Sequence, residues 1–288
     1  MHRSGSPSVF FRITPFLLSS FLFAILALCL SSPLLAAPPE RIVSLAPNVT
    51  EILFAIGLGD RLAGVTQFCD YPEEAKKKPK VGGMSNPSLE AVISLKPDIV
   101  VLTTDGNPKE FEERLRSLKI RTFVFRARRL PELPAGVREL GAVLGVPDKA
   151  DALAKKIEDA LAGASLQKKL FPDRKKILFV VWPEPLIVAG RGTVIDDVIA
   201  LFGQENIAAQ AKTSYPKYSV EEVLRQSPDI VFIGKGHTEI REMSEGFLNK
   251  IALAPAVKKG KVFFLSDNLY RMGPRILRGI EEMAACLQ

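Results

Sequence analysis

Residues 88–101 and 219–232 are two copies of one short unit, and that repeat constrains the fold more than any other feature of the chain. Ser88-Leu-Glu-Ala-Val-Ile-Ser-Leu-Lys-Pro-Asp-Ile-Val-Val101 matches Ser219-Val-Glu-Glu-Val-Leu-Arg-Gln-Ser-Pro-Asp-Ile-Val-Phe232 at seven of fourteen positions. Both copies have the same physical meaning. A serine caps a helix with a glutamate in its first turn. A Pro-Asp pair ends the helix, and a run of Val and Ile gives a buried strand. A supersecondary unit that occurs twice predicts two similar lobes.

The rest of the pattern fits that frame. Strands are predicted at Arg41–Leu45, near Val65, and at Asp98–Leu102, Arg121–Phe125, Ile177–Trp182, Ile230–Ile233 and Val262–Leu265. Helical stretches alternate with them: one capped by Asn48 or Thr50, with Glu51 at the positive end of its dipole, and others at Pro108–Leu118, Ile195–Phe202 and Pro274–Leu287. Such alternation predicts parallel-rich sheets covered by helices, an α/β class with two Rossmann-like lobes. Between the repeat copies, residues 148–170 form the longest helical pattern, bounded by Pro147 and Pro172, with Leu153, Ile157, Leu161, Leu166 and Leu170 as its apolar stripe. The expected division is a lobe over 37–146, a linking helix over 147–171 and a lobe over 172–288, with a ligand cleft between the lobes.

Residues 1–36 have the pattern of an export signal. Arg3 and Arg12 supply the positive start, Phe16–Leu30 is apolar, and a small residue precedes the expected cleavage after Ala36. That leader holds two arginines and no acid, so 37 basic and 32 acidic residues remain, a net of +5. An excess of this size, interspersed with acids, does not argue for nucleic acid. Two cysteines remain, Cys69 and Cys286, and both are expected to be unpaired. One histidine remains, His237, too few for a histidine-rich zinc or manganese site. No dinucleotide fingerprint, phosphate loop or nucleophile elbow is present, which argues against an exported α/β enzyme.

Several segments in order carry a family resemblance: Arg41-Ile-Val-Ser-Leu-Ala-Pro-Asn-Val-Thr-Glu51, Cys69-Asp-Tyr-Pro72, Val81-Gly-Gly83, Leu89-Glu90 with Lys96-Pro-Asp98, and Gly203-Gln-Glu-Asn206. The chain resembles the periplasmic binding proteins of importers for cobalamin, haem and iron-siderophores. Asp70-Tyr71-Pro72 and Ser266-Asp-Asn-Leu-Tyr-Arg-Met-Gly-Pro-Arg275 look most like the cobalamin-binding members. The resemblance implies a single long helix spanning two lobes, a ligand in the cleft, and delivery to an ABC permease in the inner membrane.

It also implies site residues. Phe68, Met84, Trp182 and Tyr215 match ligand-facing positions and suit a flat corrin ring. Asp267 and Arg271 match a polar pair suited to the amides of its rim. Glu90 and Glu221, one per lobe, match the carboxylates that dock on the permease. The chain departs from the cobalamin pattern in having one tryptophan; Met84, Thr103 and Thr104 stand where aromatics are expected. Haem, with Tyr215 or His237 as iron ligand, and a ferric siderophore held by Arg126, Arg128 and Arg129 are the alternative ligands. A monomer without cofactor or resident metal is expected, with cobalamin as cargo.

Overall fold

The computed structural model describes residues 37–235 and 239–288. The expected leader and His237 lie outside the described residues. The first lobe runs β1 (Ile42–Ser44), α1 (Pro47–Ala55), β2 (Leu62–Val65), α2 (Glu73–Lys76), α3 (Leu89–Ser94), β3 (Ile99–Thr103), α4 (Lys109–Ser117), β4 (Thr122–Phe125) and α5 (Leu133–Val143). Its four strands are parallel in the order β2-β1-β3-β4. Helix α6 (Pro147–Leu166) follows. The second lobe runs β5 (Lys176–Pro183), β6 (Leu186–Val188), α7 (Val194–Leu201), β7 (Glu205–Asn206), α8 (Val220–Gln226), β8 (Ile230–Gly234), α9 (Glu239–Lys250), α10 (Pro255–Lys258), β9 (Val262–Leu265) and α11 (Ile276–Leu287). Parallel pairing of β7, β5, β8 and β9 reproduces the order of the first sheet, and β6 adds an antiparallel hairpin to β5.

The repeat extends to individual hydrogen bonds. Ser88 Oγ accepts from Ala91 N at 3.2 Å, and Ser219 Oγ accepts from Glu222 N at 3.1 Å. Lys96 and Ser227 both leave their helices in the left-handed conformation, at φ 46° and 51°. One residue after the proline, Asp98 accepts from the backbone of Glu40 and Arg41, and Asp229 accepts from Lys176 N. Each aspartate ties its own unit to the start of the neighbouring strand, which sets the pairings Ile42 with Ile99 and Ile177 with Ile230.

Side chains on alternate strand positions face opposite ways. Val43, Leu45, Val100 and Leu102 pack outward with α3 and α4. Leu178, Val180, Val231 and Ile233 pack outward on their own lobe with α8 and α9. The inner faces behave differently. Ile42, Ile99 and Phe125 of the first sheet belong to the same buried cluster as Ile177, Phe179 and Phe232 of the second, joined through α1, α5, α6, α7 and α11. The lobes therefore share one apolar core. An ion pair reinforces it: Arg129 Nε lies 2.8 Å from Asp197 Oδ2, which also accepts from Leu130 N at 2.9 Å.

Two expectations are corrected here. Neither Asn48 nor Thr50 caps α1, which opens on Pro47 with no side-chain cap. Proline at the first helical position has no N–H to satisfy and pre-sets φ. The freed polar groups turn elsewhere: Thr50 Oγ1 donates to Ser44 Oγ at 2.8 Å, and Glu51 is committed to Arg275 rather than to the dipole. The second correction concerns α6. Its buried face is Ala150, Ala154, Ile157 and Ala164, with Leu153 and Leu161 half-buried, while Leu166 and Leu170 are each 66% exposed. Alanines bring the helix close to its neighbours, and a Cβ on Gly141 of α5 would collide with Ala150. After Leu166 the chain tightens into a 3-10 turn, Gln167–Leu170, which takes the last leucines off the buried stripe.

Substitution Ala154→Leu should therefore overpack the shared core and cost about 1–3 kcal/mol in urea unfolding. Leu170→Ser should stay within about 0.5 kcal/mol. The reverse ranking would contradict this assignment of the helix face.

Candidate functional site

The strands of both sheets deliver their following loops to one place between the lobes, as open α/β sheets do. A cavity of about 290 Å³ lies there. From the first lobe come Asn48 after β1, Met84, Thr103 at the end of β3 with Asp105 after it, and Ala127 after β4. From the second come Asp267, Tyr270, Arg271 and Met272 after β9. Asn107 holds the first-lobe loops in register. Its amide donates to Leu45 O at 2.9 Å and to Met84 O at 2.8 Å, while its carbonyl accepts from Thr103 N at 2.8 Å. Asn48 Nδ2 reaches Met272 O at 3.5 Å, which closes the floor between the lobes.

Of the residues singled out in the sequence, Met84, Asp267 and Arg271 line this cavity. The Met84 methyl lies over Gly106, whose φ of 116° and lack of a Cβ both make room for it. Phe68 presents a ring 51% exposed beside Gly83. Tyr215 is 48% exposed and stands in the loop between β7 and α8. Burial and the charge of Asp105 raise its hydroxyl pKa, against the opposing effect of Arg128. Both of those charges come from the other lobe. Trp182 is placed apart. It packs on the outer face with Leu178 and Val180, its indole N–H donates to Glu184 O at 2.7 Å, and it does not line the cavity.

The polar floor is an alternation of charges. Arg271 donates to Asp267 Oδ2 from Nη2 at 2.8 Å and from Nε at 3.2 Å, with Asp70 at 4.0 Å. Arg275 donates to Glu51 Oε1 at 2.7 Å, lies 3.7 Å from Asp70 and 3.9 Å from Asp267, and stacks over Tyr71 at 4.7 Å. Glu51 is buried, and desolvation raises its carboxyl pKa against the lowering effect of Arg275. Tyr270 is half-buried, edge-on to Phe179 at 5.8 Å, and its pKa is pushed up by desolvation and by Tyr215 and Asp267. Its hydroxyl fills the space a side chain at Gly234 would need. Of the three arginines considered for an anionic ligand, Arg129 is committed to Asp197.

Glu90 and Glu221 lie on the exposed first turns of α3 and α8, at equivalent positions of the two lobes. The Ser88 hydroxyl donates to Glu90 at 3.2 Å. The Glu221 carboxyl pKa is lowered by its own backbone N–H and by Ser219. Neither forms an ion pair among the described residues, whereas adjacent Glu222 is held by Arg225 at 2.6 Å. Cys69 and Cys286 are free. Among the described residues no cluster of His, Cys, Asp and Glu is arranged to hold a metal ion.

Asn107, Tyr270 and the Glu51–Arg275 pair were not singled out as site residues from sequence. Glu51, Tyr270 and Arg275 do fall inside the segments that carried the resemblance. Asn107 had only its position before Pro108 as a signal.

The sequence profile of the periplasmic binding proteins matches residues 42–269. A vitamin B12-binding protein of Vibrio vulnificus is 30% identical over 259 residues, which cover 90% of this chain and 93% of that one. The structure of the periplasmic vitamin B12-binding protein of Vibrio cholerae is similar with a TM-score of 0.75 at 28% identity, covering 87% of this chain and 97% of that one. A periplasmic haem-binding protein from Roseiflexus is similar with a TM-score of 0.79, also at 28% identity, covering 86% and 97%. With two lobes of matching topology, a cleft at the strand ends and a family match over most of its length, the chain belongs to the periplasmic binding protein family.

Proposed function

We propose that the protein captures cobalamin, or a related corrinoid, in the cleft between its lobes and delivers it to an ABC permease in the inner membrane. The observation that carries the choice of ligand is the charge arrangement of the floor. Both arginines there are bracketed by carboxylates: Arg271 by Asp267 and Asp70, and Arg275 by Glu51, Asp70 and Asp267. Such a floor suits a ligand rimmed with neutral amides, which need both donors and acceptors. By itself it is a poor receptor for the propionates of haem or for an anionic siderophore, which need uncompensated cations; exposed Arg126 and Arg128, which form no ion pair among the described residues, are the cations left to such a ligand.

In this reading Met84, Phe68 and Tyr215 supply apolar and aromatic contact to the ring, and Asp267 and Arg271 bind rim amides. Trp182 contributes by stiffening the β5–β6 hairpin at the edge of the second lobe. The relatives named as vitamin B12-binding proteins support the same ligand.

Glu90 and Glu221 are the proposed docking points. Two carboxylates, one per lobe, that form no ion pair among the described residues leave their charge available to steer and orient encounter with a basic partner. The protein acts as a monomer without cofactor and performs no chemistry on its cargo. Export through the leader over 1–36, cut after Ala36, places it beside the permease.

Titration of the mature protein with cyanocobalamin, haemin and a ferric siderophore, followed by absorbance and calorimetry, tests the reading. Cyanocobalamin should bind at unit stoichiometry and at least tenfold more tightly than haemin; tighter haemin binding would overturn the ligand assignment. The double variant Glu90→Ala, Glu221→Ala should bind cyanocobalamin within about twofold of wild type and lower its uptake by cells at least tenfold. Loss of ligand binding would move these residues into the cleft.

A further inference from the structure

The Glu51–Arg275 pair crosses between the lobes beneath the cavity and is only half made. The Glu51 side chain is 1% exposed and that of Arg275 12%. One hydrogen bond joins them, while Glu51 Oε2 and Arg275 Nε are both buried without a partner. Geometry of this kind leaves Arg275 attached at one end, with Asp70 and Asp267 already within 4 Å of its guanidinium. Those two carboxylates are also the partners of Arg271, which lines the cavity.

We propose that Glu51, which does not line that cavity, determines the charge the cleft presents to its ligand by taking the one hydrogen bond Arg275 makes, which keeps Arg275 at 3.7 and 3.9 Å from Asp70 and Asp267 rather than in hydrogen-bond contact with the carboxylates that neutralise Arg271. The inference rests on the cleft reading above and extends it to a positioning residue beneath the floor. Three carboxylates, Glu51, Asp70 and Asp267, face two arginines, so the cluster has a net charge of −1 with all groups ionised. Loss of the Glu51 charge makes the cluster neutral and takes from Arg275 its only hydrogen bond to a carboxylate. A buried guanidinium without an anion is costly, and the nearest remaining anions are Asp70 and Asp267. As Arg275 turns to them, Arg271 loses its brackets and offers a free cation to the cavity. An amide-selective floor becomes one that accepts carboxylates.

Charge neutralisation at Glu51 can also come from protonation, since burial raises its carboxyl pKa. The groups that face this cluster are Asp70 and Tyr71 from the loop after β2, Asp267 and Arg271 from the loop after β9, and Arg275 and Arg278 at the start of α11. Asp60 and Glu74 line a second hollow together with Glu51 and Tyr71. Falling pH should therefore shift wild-type selectivity in the same direction as removing the charge.

The experiment compares cyanocobalamin with its monocarboxylate, in which one rim amide has been hydrolysed, on wild type, Glu51→Gln and Glu51→Asp. Glu51→Gln should lower the ratio of Kd for the monocarboxylate to Kd for cyanocobalamin about tenfold, and Glu51→Asp should keep it within about twofold of wild type. In wild type the ratio should fall as pH is lowered, after correction for ionisation of the free probe, and in Glu51→Gln it should stay flat. An unchanged ratio in Glu51→Gln overturns the inference. Should that variant not fold, a flat wild-type pH series overturns it instead. A ligand-free readout separates this claim from the ligand assignment: phenylglyoxal should label Arg271 several-fold faster in Glu51→Gln, mapped by mass spectrometry. If wild type binds neither corrinoid, the ligand assignment fails and the labelling rate alone decides the inference; equal rates sink it.

Discussion

The buried apolar cluster shared by the inner faces of the two sheets fixes the geometry on which everything else depends. Phe125 of one sheet and Phe179 and Phe232 of the other belong to one continuous cluster with the inner faces of α1, α5, α6, α7 and α11. Close-packed interiors of this kind do not deform continuously, so the distance between the lobes is set by side-chain volume. Alanines along α6 keep that helix close to α5, and Arg129 with Asp197 adds a bracket between the first lobe and α7. The cleft is what remains where the strand-end loops of two similar modules meet above this core.

A fixed gap makes the chemistry of its floor matter. Binding energy spent on moving lobes is unavailable for affinity, and a cleft built on a shared core spends little. Selectivity then comes from a few placed groups. Asn107 locks the first-lobe loops, Tyr270 fills the space left by Gly234, and the five-membered cluster of Glu51, Asp70, Asp267, Arg271 and Arg275 decides which charges face the ligand. A buried pair such as Glu51–Arg275 adds little net stability, because desolvation offsets its attraction. Its place under the cleft suits a role in setting charge better than a role in holding the lobes together.

Much of the fold was legible because its signals are local. A capping serine, a Pro-Asp stop and a Val/Ile strand act over fourteen residues, and their recurrence gave two lobes and the parallel sheets. The face of α6 was read only in part: Leu153, Ile157 and Leu161 pack on the core, but its alanines were passed over and Leu166 and Leu170 included, because leucines outweigh alanines in any pattern of hydrophobicity. Close helix packing selects for small residues, and that need is visible only with the neighbouring α5 in place. The site divides along the same line. Met84, Asp267 and Arg271 could be carried over by resemblance. Trp182 could not be placed, since one step along β5 changes the face on which a side chain lies. Glu51 and Arg275 are 224 residues apart, and no local pattern foretells their meeting.

Small-angle scattering of the protein over residues 37–288, with and without saturating cyanocobalamin, tests the central claim most directly. A shared core that fixes the spacing of the lobes predicts superimposable profiles and an unchanged radius of gyration. A clear compaction on binding would mean that the inner faces separate and re-form, and would contradict it.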